Sequence, residues 1–481
     1  MPTKNIKEYN SNESKSVIIL AYSWPPDANV GAVRPVYLAR QLALSGWHPI
    51  AMTVKERYYD LINNSGIAGS DSAIVIRTRC IPNIRHVYLW MKRIIAWFSG
   101  GKTTENLAAS LGVPGNEGPG SCESAPSWLK KTILSLLYTP DEFLGWLPFA
   151  VVSSLKACRN YKAQCLISTG PPFTSHLVAL LLKNIYGIAW VADFRDPWAW
   201  NETSSVLTSG ISDRINHWLE RAVMRRADRI VCVTAAMTEM YRKLYPDLPE
   251  NKWITITNGY DMEEFAELTP VVKSDRFTIS YVGSFDFSRT PALMLKAVRE
   301  LIEEGTIDKQ KVNLRFVGPC QHVAERPLLE VIAEHGLSEV ADVIGFVPRT
   351  EALREVLHSD MLLLLGGTQR LSVAAKTYEY MAAGKPILAI VEEGATADII
   401  RQARVGRVVA PQDLESAKQA IAAWYGQYFQ DKTASDECSP DKGENFCAAT
   451  GEYSWDKLGA RYSALLEEIY CKPPFTRKSP N

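Results

Sequence analysis

No stretch of this 481-residue chain stays apolar for the ~18–20 positions that a membrane-spanning helix requires. The first residues, polar through Lys15, lack the apolar segment of a secretory signal. Both absences lead to the expectation of a cytoplasmic protein. Net charge is lacking too. Lys plus Arg and Asp plus Glu number 53 each, so the overall balance points to no nucleic-acid partner. Nine cysteines, at 80, 122, 158, 165, 232, 320, 438, 447 and 471, never fall in a C-x-x-C spacing. A scattered, odd set reads as reduced thiols rather than a disulfide framework. Also absent are the dinucleotide fingerprint G-x-G-x-x-G and the phosphate-cradling G-x-x-x-x-G-K-[ST], which disfavours a nicotinamide-dependent dehydrogenase.

What is present is an alternation of short β-branched runs and helical patterns. Strands are predicted at Val17–Tyr22, Pro49–Val54, Ala73–Arg77, Cys165–Thr169, Trp190–Asp193, Arg229–Val233 and Trp253–Thr257. A second series comprises Phe277–Val282, Val312–Val317, Val343–Phe346, Met361–Leu365, Pro386–Val391 and Arg407–Ala410. Continuous apolar runs bounded by Gly, Pro or Asn are what buried parallel strands look like. With helices as crossovers the class is α/β. Thirteen strands exceed the usual open sheet, so two sheets and two domains are expected. The boundary is placed near Leu268–Asp275, giving a domain over 1–270, a second over 271–452, and a final helix and tail over 453–481. Two segments poor in pattern, 99–126 and 431–451, read as inserts.

Chemistry-bearing residues gather where strands end, which is where α/β sheets place ligands. The first strand runs into Ser23–Ala32, and Gly31 precedes a helix whose amides and dipole suit an anion. Ser168–Pro172 and His176 form another strand exit; a ligand contact and a structural role are both open to this histidine. The stretch Asp193-Phe194-Arg195-Asp196-Pro197-Trp198 sets carboxylates, a guanidinium and an indole at a third exit. Such groups suit hydroxyls, phosphate and a sugar face, the alternative being an Arg–Asp pair that fixes a loop. In the second half, Gly283 lets a ligand approach the backbone, and Arg289 offers a fork of donors to phosphate. Lys376, Glu379 and Tyr380 lie three and four apart on one helical face. A cation for diphosphate and a carboxylate for ribose would hold a nucleotide sugar there.

Taken in order, these segments resemble glycosyltransferase family four, and within it the polysaccharide-assembly branch. The resemblance rests on Trp24-Pro25-Pro26 with Gly31 and Arg34, on Asp193 through Trp198, and on Asn258-Gly259-Tyr260-Asp261. It continues through Tyr281-Val282-Gly283, Gly345-Phe346-Val347 and Lys376 through Pro386, and covers residues from about 17 to about 470. It implies a GT-B fold, two Rossmann-like domains with parallel sheets facing across a cleft and a C-terminal helix crossing back. The second domain would hold the nucleotide and the first the acceptor. Glu379 matches the family's ribose-binding glutamate, Arg289 its diphosphate-binding cation, and Gly31 the loop glycine that packs against donor phosphates. Two positions depart from the pattern. Leu371 stands where a second glutamate is usual, and Ser284 where an arginine is.

The expected function is transfer of a sugar, with retained configuration, from a nucleotide diphosphate sugar to a glycan or lipid-linked acceptor in cell-surface polysaccharide synthesis. Asp193, Asp196 and His176 are the catalytic candidates. Gly31, Gly283, Arg289, Lys376, Glu379 and Tyr380 are donor-binding candidates, and Arg195 and Trp198 lie on the acceptor side. No metal or other cofactor is expected, because Arg289 and Lys376 supply positive charge and the chain has no D-x-D motif. The segment Ile84–Phe98, apolar on one face and cationic on the other, is a candidate for peripheral contact with anionic membrane, and Trp128–Tyr138 is a weaker one. The rival readings are a sugar-nucleotide epimerase on the same fold and a non-catalytic sugar-nucleotide-binding protein.

Overall fold

The computed structural model describes residues 15–62, 69–81, 138–200, 210–266, 275–285, 289–367, 369–433 and 450–470, with residues 67, 135, 136 and 268 besides. The segments 84–98 and 99–126, and most of 128–138, 268–275 and 431–451, lie outside the described residues. The chain divides into two compact units. The first comprises Met1–Val233, Thr238–Ile256 and Gly459–Asn481, and the second Thr234–Met237 and Thr257–Leu458.

The first unit is built on a seven-stranded parallel sheet of β1 (Lys15–Leu20), β2 (Trp47–Val54), β3 (Ile74–Thr78), β4 (Cys165–Gly170), β5 (Ala189–Phe194), β6 (Arg229–Cys232) and β7 (Trp253–Thr255). Its order is β3-β2-β1-β4-β5-β6-β7, so the winding reverses between β1 and β4, where Leu20 pairs with Ser168. Val17, Ile18, Ile19 and Leu20 are fully buried, as a strand covered on both faces demands. Right-handed crossovers send the helices of the two windings to opposite faces. On one lies α1 (Val33–Leu44); on the other α2 (Leu147–Asn160), α3 (Thr174–Tyr186) and α4 (Gly210–Arg226) pack side by side. The helix α5 (Ala235–Leu244) links β6 to β7. Local sequence explains several boundaries. Pro148 sits in the first turn of α2, and Gly187, at φ +75°, ends α3 in the left-handed conformation that glycine adopts without strain. The α3 N-terminus is capped from a distance, because Asp141 accepts the Thr174 N–H at 2.8 Å.

The second unit opens with α6 (Met262–Ala266) and holds a six-stranded parallel sheet. Its elements are β8 (Phe277–Val282), α7 (Ala292–Glu303), β9 (Val312–Val317), the short strands β10 (His322–Val323) and β11 (Arg326–Pro327), α8 (Leu328–Glu334) and β12 (Ala341–Gly345). They continue with α9 (Arg349–His358), β13 (Met361–Leu365), α10 (Ala375–Ala382), β14 (Ile387–Ile390), α11 (Ala395–Ala403), β15 (Gly406–Val409), α12 (Leu414–Thr433) and α13 (Trp455–Tyr470). The order β12-β9-β8-β13-β14-β15 reverses between β8 and β13. From Gly459 onward the last helix belongs to the first unit. There a Cβ on Gly459 would lie 2.2 Å from that of Gln41 on α1, so the two helices touch at a glycine.

The expected α/β class with two parallel sheets is the observed one. All thirteen predicted strands occur as strands, and most ends move by one or two residues. β12 starts two residues before the expected Val343, because it is an edge strand whose residues alternate between half-buried and exposed. It therefore lacks the continuous apolar run of a central strand.

Candidate functional site

In the first unit, three strand-exit loops meet at the reversal of winding. Asn29 accepts the Gly31 N–H at 2.8 Å and so turns the loop after β1 into the helical segment that follows. Arg195, just past β5, donates to the Gly31 carbonyl at 2.8 Å and to the Pro171 carbonyl in the loop after β4. One guanidinium therefore ties the exits of β1, β4 and β5 together. Burial pushes its pKa below the ordinary arginine value, and Asp193 and Asp196 pull it back up. A Cβ on Gly31 would lie 3.2 Å from Arg195 Nη1, so glycine there permits the clamp.

Asp193 is fully buried. Its carboxylate takes Arg34 Nη2 at 2.9 Å and Nε at 3.0 Å, and the Tyr462 hydroxyl of α13 at 2.7 Å. Arg34 also donates to the Ile256 carbonyl at 2.8 Å and to the Tyr462 oxygen at 2.7 Å. Burial would raise the Asp193 pKa, but the Arg34 charge and these hydrogen bonds outweigh it and hold the group below the usual carboxylate range. With its lone pairs committed and no exposed surface, Asp193 is an anchor of the loop. Its expected role as a carboxylate that meets substrate would require these partners to give way. Asp196 is only partly buried.

His176 is also fully buried. Its Nδ1 lies 2.7 Å from Ser168 Oγ, which accepts the Trp190 indole N–H at 2.8 Å. The Ser168 hydroxyl is then free to donate to Nδ1, which places the imidazole proton on Nε2. Nε2 has no hydrogen-bond partner, and a Cβ on Gly170 would stand 2.8 Å from it. Burial lowers the His176 pKa to about 3, so the ring is neutral. It can offer one N–H at the β4 exit, and only to a group that displaces the covering loop.

Trp198 is 5% exposed and stacks on Phe173 with ring centroids 4.9 Å apart. Its indole N–H reaches Asn216 at 3.1 Å. Its ring is packed within the loop cluster rather than open to solvent. Two residues with no local signal in the sequence complete the loop. Glu220 of α4 accepts the Ala199 N–H at 2.9 Å and the Tyr241 hydroxyl at 3.1 Å, and Tyr241 in turn accepts the Trp198 N–H at 3.0 Å.

The second unit presents a different arrangement at the exit of β8. Gly283, at φ +142°, donates its N–H to the Val317 carbonyl at 2.8 Å. A Cβ there would fall 2.4 Å from Lys376 Nζ, and one on Gly318 would fall 2.6 Å from the Gly283 oxygen. Two glycines thus keep this backbone bare while the Lys376 ammonium lies against it. Lys376 donates to the Tyr281 hydroxyl at 2.8 Å and sits 4.0 Å from the centre of that ring. Tyr281 passes its own proton toward the Ser284 carbonyl at 2.5 Å. Lys376 stands in the first turn of α10, at the positive end of the helix dipole.

Glu379, one turn on, is 24% exposed at its side chain and receives Arg349 Nη1 at 2.8 Å. Arg349 also grips Glu264 of α6 through Nε at 3.0 Å and Nη2 at 2.7 Å. This chain of contacts is not visible from sequence spacing, since Arg349 lies 30 residues from Glu379 and 85 from Glu264. Tyr380 is buried, and its hydroxyl accepts the Val282 N–H at 2.9 Å. It braces the end of β8, so the role this position suggests toward the donor is support of the backbone that Lys376 covers. Arg289 is part-buried at the far end of the loop that follows β8, and residues 286–288 of that loop lie outside the described residues. Lys376 thus lies against Gly283, and Glu379 stands one turn further along the same helix.

Two protein families match the chain, Glycosyltransferase Family 4 over residues 122–264 and Glycosyl transferases group 1 over residues 265–434. By sequence, none of the curated proteins matches it. Among solved structures it is similar to sucrose-phosphate synthase from Thermosynechococcus elongatus, at 15% identity and a TM-score of 0.58, covering 95% of this chain and 100% of that one. It is similar to Anabaena Alr3699/HepE in complex with UDP, at 11% identity and a TM-score of 0.57, covering 94% and 100%. It is also similar to WaaG, a glycosyltransferase involved in lipopolysaccharide biosynthesis, at 13% identity and a TM-score of 0.54, covering 93% and 99%. At these identities the likeness is one of fold.

Proposed function

The chain belongs to glycosyltransferase family four with the GT-B fold, and from that premise we propose that it moves a sugar from a nucleotide diphosphate sugar to a glycan or lipid-linked acceptor. The observation that carries this reading is the β8 exit of the second unit. There a bare glycine backbone, the Lys376 ammonium at a helix N-terminus and the part-exposed Glu379 carboxylate come together. Glu379 takes the ribose hydroxyls of the donor. Lys376, with Arg289, neutralises the charge that builds on the departing diphosphate as the bond to the anomeric carbon breaks. The reading needs no metal, so a chelator leaves turnover unchanged. Tyr380 keeps the end of β8 in place for this.

The first unit takes the acceptor at the loops that Arg195 clamps, with Asp196 the part-buried carboxylate and His176 the buried N–H donor. The configuration at the sugar is retained, and the product enters cell-surface polysaccharide. The protein works in the cytoplasm beside the inner face of the plasma membrane. Contact there through 84–98 remains part of the proposal; among the described residues no helix is long and apolar enough to cross a membrane.

Purified protein heated with UDP-, GDP-, dTDP- and ADP-sugars tests the reading, since a ligand bound only by the native state raises the melting temperature by mass action. A shift with one nucleotide class is expected, followed by release of the nucleoside diphosphate when membrane lipid extract is supplied. No shift with any of them overturns the donor site. A shift without release under any acceptor supply indicates a non-catalytic binder, which Leu371 in place of a usual glutamate would suit.

A further inference from the structure

The helices α2, α3 and α4, which cover one face of the first sheet, carry a charge that the chain as a whole does not. They hold seven Lys and Arg against two carboxylates, a net of +5 in a protein of zero formal charge. One of those carboxylates, Glu220, is buried. Among the described residues, Lys156, Arg159, Arg214 and Arg221 have no carboxylate within ion-pair distance, whereas Lys183 and Arg225 do.

The same layer exposes large apolar side chains. Ile211, Trp218, Ile185 and Val152 are 52%, 68%, 52% and 53% exposed. On α4 the exposed positions Ile211, Arg214, Trp218, Arg221 and Arg225 recur at intervals of three and four, so aromatic, aliphatic and guanidinium groups share one outward stripe. On α2, Val152, Lys156 and Arg159 do the same. Trp200 meets His217 with ring centroids 4.7 Å apart and extends the aromatic surface into the loop before α4.

We propose that this face docks on a bilayer surface bearing anionic headgroups. Arginines interleaved with a Trp and aliphatic side chains match the boundary between headgroups and acyl chains. The apolar bodies enter there and the guanidinium forks take headgroup phosphates. A second copy of the chain is the poorer occupant, because a two-fold contact would set +5 against +5. An acidic soluble protein meets the charge, but exposed apolar groups spread over three helices suit a surface without fixed shape better. The proposal does not rest on the sugar-transfer reading and concerns elements distinct from 84–98.

Its test is co-sedimentation of the full-length protein with phosphatidylcholine vesicles that are pure or contain about one-third phosphatidylglycerol. The protein is expected to pellet with the anionic vesicles alone and to be released by salt. Arg214→Gln and Arg221→Gln should each lower partitioning about fivefold, and Trp218→Ala should lower it as well, all with unchanged melting temperature because these side chains are exposed. Lys296→Gln with Arg299→Gln, exposed on α7 of the second unit, should pellet as the parent does. Protein that stays in the supernatant, that pellets equally with neutral vesicles, or that is unaffected by both Arg214→Gln and Arg221→Gln overturns the proposal. The last result would assign membrane contact to another segment.

Discussion

The two units use charge at their strand exits in opposite ways. In the first, Arg34, Asp193 and Tyr462 satisfy one another, Arg195 is spent on two backbone carbonyls, and His176 is sealed beneath a loop. In the second, the Lys376 ammonium lies over bare backbone and the Glu379–Arg349 pair stays part-exposed. Both exits look alike in sequence, as ionisable residues directly after a buried strand. The difference teaches that such residues can be scaffold or site, and that burial separates the two. A buried ion pair is strongly missed when half of it is removed, whereas a part-exposed one contributes little to folding and remains available to a ligand.

The comparison breaks most visibly at Asp193. Asp193→Ala strands the Arg34 guanidinium in the interior and should cost about 3–5 kcal/mol of stability, read as a shift in the denaturant midpoint. The folded carboxylate is held below its ordinary pKa, so its contribution is present at neutral pH and fades only as acid takes the solution below the usual carboxylate range. A variant that is inactive yet as stable as the parent would return Asp193 to the catalytic candidates.

His176 offers a second, pH-dependent measure of the sealed unit. Between its folded value of about 3 and the ordinary 6.5, the buried neutral ring binds fewer protons than the histidine of the unfolded chain. Stability should therefore rise with pH across that window, by up to about 1.4 kcal/mol per unit, and fall as acid is added. Asp141 and Glu220, whose pKa values burial raises, act in the opposite sense. They are common to parent and variant and cancel in the comparison with His176→Asn. The difference between parent and variant midpoints should change between pH 7 and pH 5. A constant difference would mean that His176 is not sealed in solution.

The second unit should answer differently. Glu379→Ala is expected to weaken nucleotide binding by the value of a charge-assisted hydrogen bond, about 1.5–3 kcal/mol, while changing stability by no more than about 1 kcal/mol. Calorimetric titration with the nucleotide found in the thermal screen measures the first, and a denaturant melt the second. Unchanged affinity would show that Glu379 does not hold the ribose.

These contrasts also mark where the sequence was legible. Central parallel strands announce themselves as apolar runs, so Phe277–Val282, Val312–Val317 and Met361–Leu365 are found at their expected ends. The β10 and β11 pair, two residues each and half polar, leaves no such mark. Loops rich in chemistry were visible because they follow strands directly. What each side chain does in them was not, because its partners are remote. Trp198 is covered by Phe173, 25 residues earlier, and Asp193 is held by Tyr462, 269 residues later. Glu220, Tyr241 and Asp141 pin the first-unit loops through contacts for which no periodicity exists to read.

The smallest expected effect is the sharpest on how the open site works. Arg349 bridges Glu379 and Glu264, and at one-third exposure such pairs contribute roughly 0–1 kcal/mol to folding. Arg349→Gln should therefore barely move the denaturant midpoint. If Arg349 orients the Glu379 carboxylate toward the ribose, the same change lowers nucleotide affinity by a few-fold, about 0.5–1 kcal/mol. It should then have no effect in a chain that already carries Glu379→Ala, because nothing remains to orient. Equal losses in both backgrounds would instead mean that Arg349 meets the donor itself. A loss of stability in place of affinity would make this pair scaffold, like Arg34 and Asp193, and the contrast between the two units would close.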